Sequence, residues 1–432
     1  MNMQLSAHQQ RSGRRVSAFV ATCLLACLLS CPWGQLAHSQ EAGASASAAL
    51  YVRTDSDKTD VITPRLRVTA PLGDATTVDM VYSVDVWSSA SIDIRTSASV
   101  NLRDINAADS SAFNPSETGQ TDKHDKPVVE RRDEIDLGLT HLLDELTLTG
   151  SYRYSSEPDY KSHGITTGFS LDMAQRASTL AVSLGGSLDK VGRADDPIFD
   201  EGVRNINARV AFTQVLTASL LVQAIYELGN NHGYLASPYR YVAPGTWDGR
   251  CVNFPQDTML MTYQCFLEHV PNDRLRHALA LTARQALGSK FSTGVSYRFY
   301  IDSWSLLSHT AQADLTFVPS EHTLFSLGYR FYTQSSADFY KSSYPRNPNY
   351  IDNGTLRNAI EGEYYTVDKE LSALDSHRLS LDFEQQFEFS TGERIRAQAS
   401  FAPTFYTFHD FKPFAETGIT AFEATVALVF EP

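Results

Sequence analysis

The stretch that decides the fold is Arg394-Ile395-Arg396-Ala397-Gln398-Ala399-Ser400-Phe401-Ala402-Pro403-Thr404-Phe405-Tyr406. Its odd positions, Ile395, Ala397, Ala399, Phe401, Pro403 and Phe405, are apolar, whereas its even positions include Arg394, Arg396, Gln398, Ser400 and Thr404. Side chains of an extended strand point alternately to opposite faces, so one face of this segment is oily and the other wet. The alternation runs about twice as far as the five or six residues of a common soluble strand.

The preceding segment does the same, with Leu379, Leu381, Phe383, Phe387 and Phe389 against Arg378, Ser380, Asp382, Glu384 and Glu388. So does the segment that sets Phe291, Thr293, Val295, Tyr297, Phe299 and Ile301 against Ser292, Gly294, Ser296, Arg298, Tyr300 and Asp302. Working outward, further alternating segments lie at 48–55, 61–71, 76–87, 131–142, 146–156, 161–173, 178–190, 203–215, 217–229, 274–287, 305–318, 321–334 and 416–430, making sixteen in all.

Tight turns fall near Gly73, Asp144, Gln175, Leu216, Ser289, Ser320 and Gly392, and the intervening links include long ones at 88–130, 230–273 and 335–373. Short turns at one end and long loops at the other are the habit of outer-membrane barrels, whose short turns face the periplasm. Both termini at the short-turn end require an even strand count. A soluble β-sandwich fits poorly, because its strands would be too long and it would carry structureless insertions of about 40 residues. The fold class is therefore all-β: a transmembrane up-and-down antiparallel barrel of about sixteen strands, closed over residues 46–432 and located in the bacterial outer membrane.

The start of the chain has the three parts of a secretory signal: Arg11, Arg14 and Arg15, an apolar run from Val16 to Leu29, and small residues near Ala37 and Ser39. Residues 1–39 read as the signal peptide and 40–432 as the barrel. The apolar run is shorter than the roughly 20 residues of a spanning helix. Cys27 and Cys31 follow Leu-Leu-Ala and Leu-Leu-Ser, and the Leu before the small residue departs from a lipid-attachment box. Cleavage removes three of the 36 basic residues and none of the 50 acidic ones, leaving a net charge of about −17. Such a chain has no electrostatic reason to bind nucleic acid. Of five cysteines only Cys251 and Cys265 lie beyond the signal region, and in an oxidising compartment two cysteines read as one disulfide. In the terminal segment Phe422, Ala424, Val426, Leu428 and Phe430 alternate like the strand that outer-membrane assembly machinery recognises, although Glu431 and Pro432 follow the last aromatic.

Several strings resemble a family of proteobacterial outer-membrane barrels catalogued as a domain of unknown function. They are Asp85-Val86-Trp87-Ser88-Ser89-Ala90-Ser91, Tyr154-Ser155-Ser156-Glu157-Pro158-Asp159-Tyr160, Pro271-Asn272-Asp273-Arg274-Leu275-Arg276, Tyr297-Arg298-Phe299-Tyr300-Ile301-Asp302-Ser303-Trp304 and Tyr329-Arg330-Phe331-Tyr332-Thr333-Gln334. The resemblance covers nearly all the mature chain. It implies barrel and location and no assigned activity. It also implies a genetic neighbourhood of small lipoproteins and a flavin-attaching enzyme, hence a periplasmic or lipoprotein partner.

Read from the residues alone, Tyr-Arg-Phe-Tyr recurs at Tyr297 and Tyr329 two strands apart, so both copies turn Tyr and Phe toward lipid and Arg298 and Arg330 inward. Of the histidines on strands, His141, His277 and His309 turn outward, and His309 near Ser308 and Asp302 is the one arrangement that suggests a triad. The sequence holds no Gly-x-Ser-x-Gly, no His-x-x-x-His and no phosphate loop. Loop acids Asp352, Glu361, Glu363, Asp368 and Glu370 lack the calcium-loop spacing, so no metal, cofactor or catalytic residue is assigned.

Alternation sends Arg274, Arg276, Arg284, Arg298, Arg330, Arg378, Arg394 and Arg396 inward on one half of the wall. Asp79, Asp85, Glu134 and Asp136 lie opposite. Asp302, Asp314, Asp382, Glu384 and Glu388 share the basic half and offset it. The expected function is a porin-like channel for small solutes, since sixteen strands leave room for water. A non-transport scaffold for a periplasmic or lipoprotein partner, with redox work as one use, is the second reading, and an outer-membrane hydrolase the third.

Overall fold

The computed structural model describes residues 44–57, 59–89, 128–193, 196–242, 244–245, 266–345, 360, 362–412 and 418–432. The barrel strands are β1 (Ser45–Asp55), β2 (Thr59–Pro71), β3 (Thr76–Ser89), β4 (Val128–Leu143), β5 (Leu146–Ser156), β6 (Tyr160–Met173), β7 (Ser178–Val191), β8 (Glu201–Thr217) and β9 (Leu220–Gly233). They continue as β12 (Asp273–Leu287), β13 (Phe291–Asp302), β14 (Leu307–Ser320), β15 (Thr323–Gln334), β16 (Leu374–Glu388), β17 (Arg394–Phe408) and β18 (Ile419–Glu431). Two short strands, β10 (Tyr241–Val242) and β11 (Phe266–Leu267), pair with each other in the long link between β9 and β12. Every other strand hydrogen-bonds antiparallel to its neighbours, β9 pairs directly with β12, and β18 returns to β1, so sixteen strands close the barrel. The closing seam runs from Ala46↔Phe430 to Asp55↔Ala421.

The alternation decides which face looks out. Val295, Tyr297 and Ile301 on β13, Leu379, Leu381 and Phe383 on β16, and Phe401 and Phe405 on β17 are all exposed large apolar side chains. Arg298, Arg378 and Arg396 lie on the opposite face, where their carboxylate partners also sit. A closed sheet has no unpaired edge, and an apolar outer surface on such a sheet is what a bilayer accepts. The protein is a bacterial outer-membrane barrel.

Two aromatic girdles bound the apolar band. Near the short turns, Phe291, Phe317, Phe325 and Phe383 stand in direct cross-strand register, with ring centroids 4.8 Å apart for Phe291 and Phe317 and 5.1 Å for Phe325 and Phe383. Toward the loops, Tyr–His pairs take over: Tyr152 with His163, Tyr226 with His277, Tyr297 with His309 and Tyr329 with His377. Eight residues separate Phe317 from His309 along β14. At about 3.3 Å per residue and a tilt near 40° that is about 20 Å of height, matching the apolar band of such barrels.

One turn sits further on than the sequence places it. The break expected near Leu216 falls at Ala218 and Ser219, because a register shift between Val215 and Thr217 lets β8 continue past Leu216. β9 likewise runs on through Asn230, Asn231 and His232, whose polar side chains hide a ladder continuing to Asp273. The signal region and both Cys251 and Cys265 lie outside the described residues.

Candidate functional site

The inner wall is a sequence of local ion pairs. Arg67 Nε reaches Asp79 at 2.6 Å, Arg274 Nη2 reaches Asp302 at 2.6 Å and Arg284 Nη2 reaches Asp314 at 3.1 Å. Three carboxylates are each shared by two arginines. Glu423 bridges Arg53 (3.4 Å) and Arg378 (2.5 Å), Glu227 bridges Arg209 (3.6 Å) and Arg298 (3.0 Å), and Glu431 bridges Arg394 (3.6 Å) and Arg396. Arg396 also lies 3.9 Å from Glu384. On the opposite wall Arg153 lies 3.1 Å from Asp136 and 3.9 Å from Glu134, while Arg132 lies 3.9 Å from Asp85. Among the described residues Arg276 and Arg330 have no carboxylate within ion-pair distance, and Nε of each is buried without a partner. Each half of the wall thus carries its own counter-charges, and the acids expected to offset the basic half include three, Asp302, Asp314 and Glu384, that do so directly.

Exposure changes along the lumen. In its middle and toward the short turns the inward side chains are wet: Arg67 is 55%, Arg153 59%, Arg284 51% and Arg394 52% exposed. At the loop end inward residues are covered. Ser308, Ser376, Thr404, Asp302, Asp189 and Arg53 are buried although they face the lumen.

What covers that end is a cap built by connections rooted far apart. Following the strand order, the links β1–β2, β5–β6, β9–β12 and β15–β16 leave the rim at quarter-turn intervals. On a sixteen-strand circle their roots are about 20 Å apart. They nevertheless meet. Tyr239 of the β9–β12 link donates its hydroxyl to Asp159 of the β5–β6 link at 2.5 Å. Arg240 reaches Glu268 at 3.2 Å and Asp368 of the β15–β16 link at 2.8 Å. Glu268 also accepts from Thr366 Oγ1 at 2.6 Å and from the Ser237 backbone N–H. Lys369 completes the span to Asp57 of the β1–β2 link at 3.0 Å. The backbone bridge His269↔Tyr365 sews the two long links together, and Tyr340↔Thr366 folds the β15–β16 link back on itself. The apolar side chains Val242, Phe266, Tyr344, Ile360, Tyr365 and Val367 pack between them. Buried charge at this density is tolerable because Arg240, Glu268, Asp368, Lys369 and Asp57 each meet a partner of opposite sign.

Two carboxyls of the cap sit uneasily. Burial pushes Glu157 above the ordinary carboxylate value, although Arg132 donates to it at 2.5 Å, and burial pushes Asp159 up likewise against the Tyr239 hydrogen bond. Oε2 of Glu157 and Oδ1 of Asp159 are buried without a partner, the environment in which a protonated carboxyl is favoured.

His309 faces outward to Tyr297 (2.6 Å), whereas Asp302 faces inward, bonded to Arg274, and Ser308 is inside with it. The three do not meet, so the triad suggested by their proximity in sequence is not assembled. His277 and His141 also face out, bonded to Tyr226 and Thr76. Among the loop acids, Asp368 is bound to Arg240 and caps the 3-10 turn Lys369–Leu371, and Asp352 and Glu361 lie outside the described residues. No cluster of metal-ligating side chains occurs among the described residues. Sequence reading missed Tyr239, Arg240, Glu268, Thr366 and Lys369, because nothing periodic marks a loop residue whose partner lies in another loop.

Comparison with solved structures returns outer-membrane barrels. A bacterial polysaccharide outer membrane secretin is 9% identical, with a TM-score of 0.46, over 91% of this chain and 100% of that one. The outer membrane protein opdK from Pseudomonas aeruginosa is 8% identical, with a TM-score of 0.41, over 91% and 99%. The CymD monoaromatic hydrocarbon channel is 9% identical, with a TM-score of 0.37, over 90% and 88%. No curated protein matches the sequence. Residues 18–201 and 193–402 match the family described as "Protein of unknown function (DUF3570)". Barrel, alternation and matched span together make this chain a member of the DUF3570 family.

Proposed function

We propose that the protein is a porin-like channel for small solutes, with the cap as its constriction at the loop end. The observation that carries this reading is the half-exposed, charged inner wall below the cap, since a solid scaffold core would not leave arginines half wet. Solutes would traverse a wall of alternating charge pairs, which suits polar and dipolar molecules rather than oily ones. The long links of the cap hold to one another and to the rim through apolar packing and buried polar contacts, and loosening the polar contacts widens the path. Liposome swelling in isotonic uncharged sugars of increasing size tests the proposal: entry of the small sugars with a size cut-off supports it, and no entry at any size opposes it.

The second reading, a non-transport scaffold that docks a periplasmic or lipoprotein partner, is favoured by the depth of burial in the cap, which resembles a permanent closure. Ion conductance separates the two, because a permanently closed barrel is silent. In either case the alternating β18 is the strand we propose the assembly machinery reads.

A further inference from the structure

The outer face of β6 to β9 at the loop rim carries an unusual row. Lys161 and Lys190 stand directly opposite each other across the β6/β7 ladder. The next outward step joins His163, Leu188, Arg204, His232 and Asp273 in unbroken cross-strand register. All lie just beyond Ile165 and Ile206, each 66% exposed on the same outer face, so the basic residues border the apolar band where membrane gives way to headgroups. Like charges directly opposite in a sheet are destabilising. Among the described residues neither Lys161 nor Arg204 has a carboxylate within ion-pair distance. Lys190 meets Asp200 at 3.3 Å in a pair that is about seven-tenths exposed on both sides and therefore weak. His232 is held by Asp273 at 2.7 Å.

The Tyr–His girdle adds donors beside this row. Tyr152 bonds His163 Nδ1 at 2.8 Å and Tyr154 packs on the same ring with centroids 4.9 Å apart. In the tautomer in which the tyrosine hydroxyl donates to Nδ1, the ring proton sits on Nε2 and can donate outward. Three cations and an imidazole donor on a face continuous with lipid-facing leucine and isoleucine call for an anion that itself ends in hydrocarbon.

We propose that Lys161, Lys190 and Arg204 bind phosphate groups of the phosphorylated glycolipid that forms the outer leaflet, with His163 donating to the same headgroup. Guanidinium and ammonium groups are the natural partners of phosphate, the former in a bidentate fork. The site depends on the barrel spanning the outer membrane and not on whether the lumen conducts.

The test uses the full-length barrel in phosphatidylcholine nanodiscs doped with bisphosphorylated lipid A or with its phosphate-free derivative, the bound lipid being counted by native mass spectrometry. The variant Lys161→Gln, Lys190→Gln, Arg204→Gln is expected to lose at least tenfold in lipid A affinity. Lys161→Arg with Lys190→Arg should keep it, and Arg176→Gln with Lys290→Gln, at the short-turn end, should leave it unchanged. Heat-modifiable migration on gels verifies that each variant is folded. Retention of lipid A by the triple variant overturns the proposal. So does equal binding of the phosphate-free lipid by the wild type, or competition by inorganic phosphate as effective as lipid A itself, which would mark a site for free phosphate.

Discussion

Lys369 Nζ lies 3.0 Å from Asp57 Oδ2, and the two side chains, 312 residues apart in sequence, are 8% and 5% exposed. Their links leave the rim a quarter of the barrel apart, so this contact fastens one side of the cap. Removing one partner of a buried pair leaves an uncompensated charge and costs about 3–5 kcal/mol. Lys369→Met is therefore expected to loosen the cap and raise single-channel conductance or open time, and adding Asp57→Asn should recover part of the closed state. Planar-bilayer recordings of the two singles and the double make the cycle, and additive effects would show that the contact does not couple the links.

The cap should also respond to pH through Glu157 and Asp159. Their carboxyls are raised by burial in the closed cap and return to the ordinary value if the cap opens into water. Closing therefore takes up protons, so closure is favoured as pH falls through the raised values and weakened as pH rises above them. Conductance should fall on mild acidification, and Glu157→Gln with Asp159→Asn should flatten the profile. A wild-type conductance that rises on acidification would reverse the sign of this argument.

The register predicts an asymmetry between adjacent residues of β13. Val295 faces lipid between the two girdles, and Ser296 faces the lumen. Val295→Arg should destabilise the barrel by about 2–4 kcal/mol, the cost of Arg at the midplane, while Ser296→Arg should be nearly neutral. Reversible denaturant unfolding in phospholipid vesicles measures both, and equal costs would refute the face assignment.

Much of this was legible in sequence. Period-two alternation located all sixteen barrel strands and the faces of Tyr297, Arg298 and Phe401, because a one-residue slip would invert an entire strand. The turn after β8 was misplaced because Val215 and Leu216 are consecutive apolar residues, and alternation cannot recognise a bulge. The Tyr–His pairs were invisible until the register was known, since Tyr226 and His277 are 51 residues apart. The cap was out of reach for a deeper reason. Tyr239 with Asp159 and Lys369 with Asp57 join irregular loops, where no backbone period ties a residue type to a direction.

The wall charges make a fourth prediction. Arg298 and Arg396 hold Glu227, Glu384 and Glu431, while Arg330 has no such partner among the described residues. Replacing the three arginines together with Gln removes three positive charges from the wall, leaving Glu227 to Arg209 and Glu431 to Arg394 alone, and permeability should shift toward cations. The shift should be largest at low salt, since charges are screened over about 10 Å at 0.1 M. Reversal potentials under a salt gradient measure it, and an unchanged ratio through an open channel would leave these arginines as structural pairs only.

In the porin-like reading, water and small solutes pass through this lumen. Planar-bilayer conductance of the folded wild-type protein tests it most directly, with Lys369→Met recorded alongside to relieve the cap. Discrete steps of ion current, larger or longer in the variant, are the predicted result. Folded, inserted protein that passes no current in either form would contradict the claim and leave a closed scaffold.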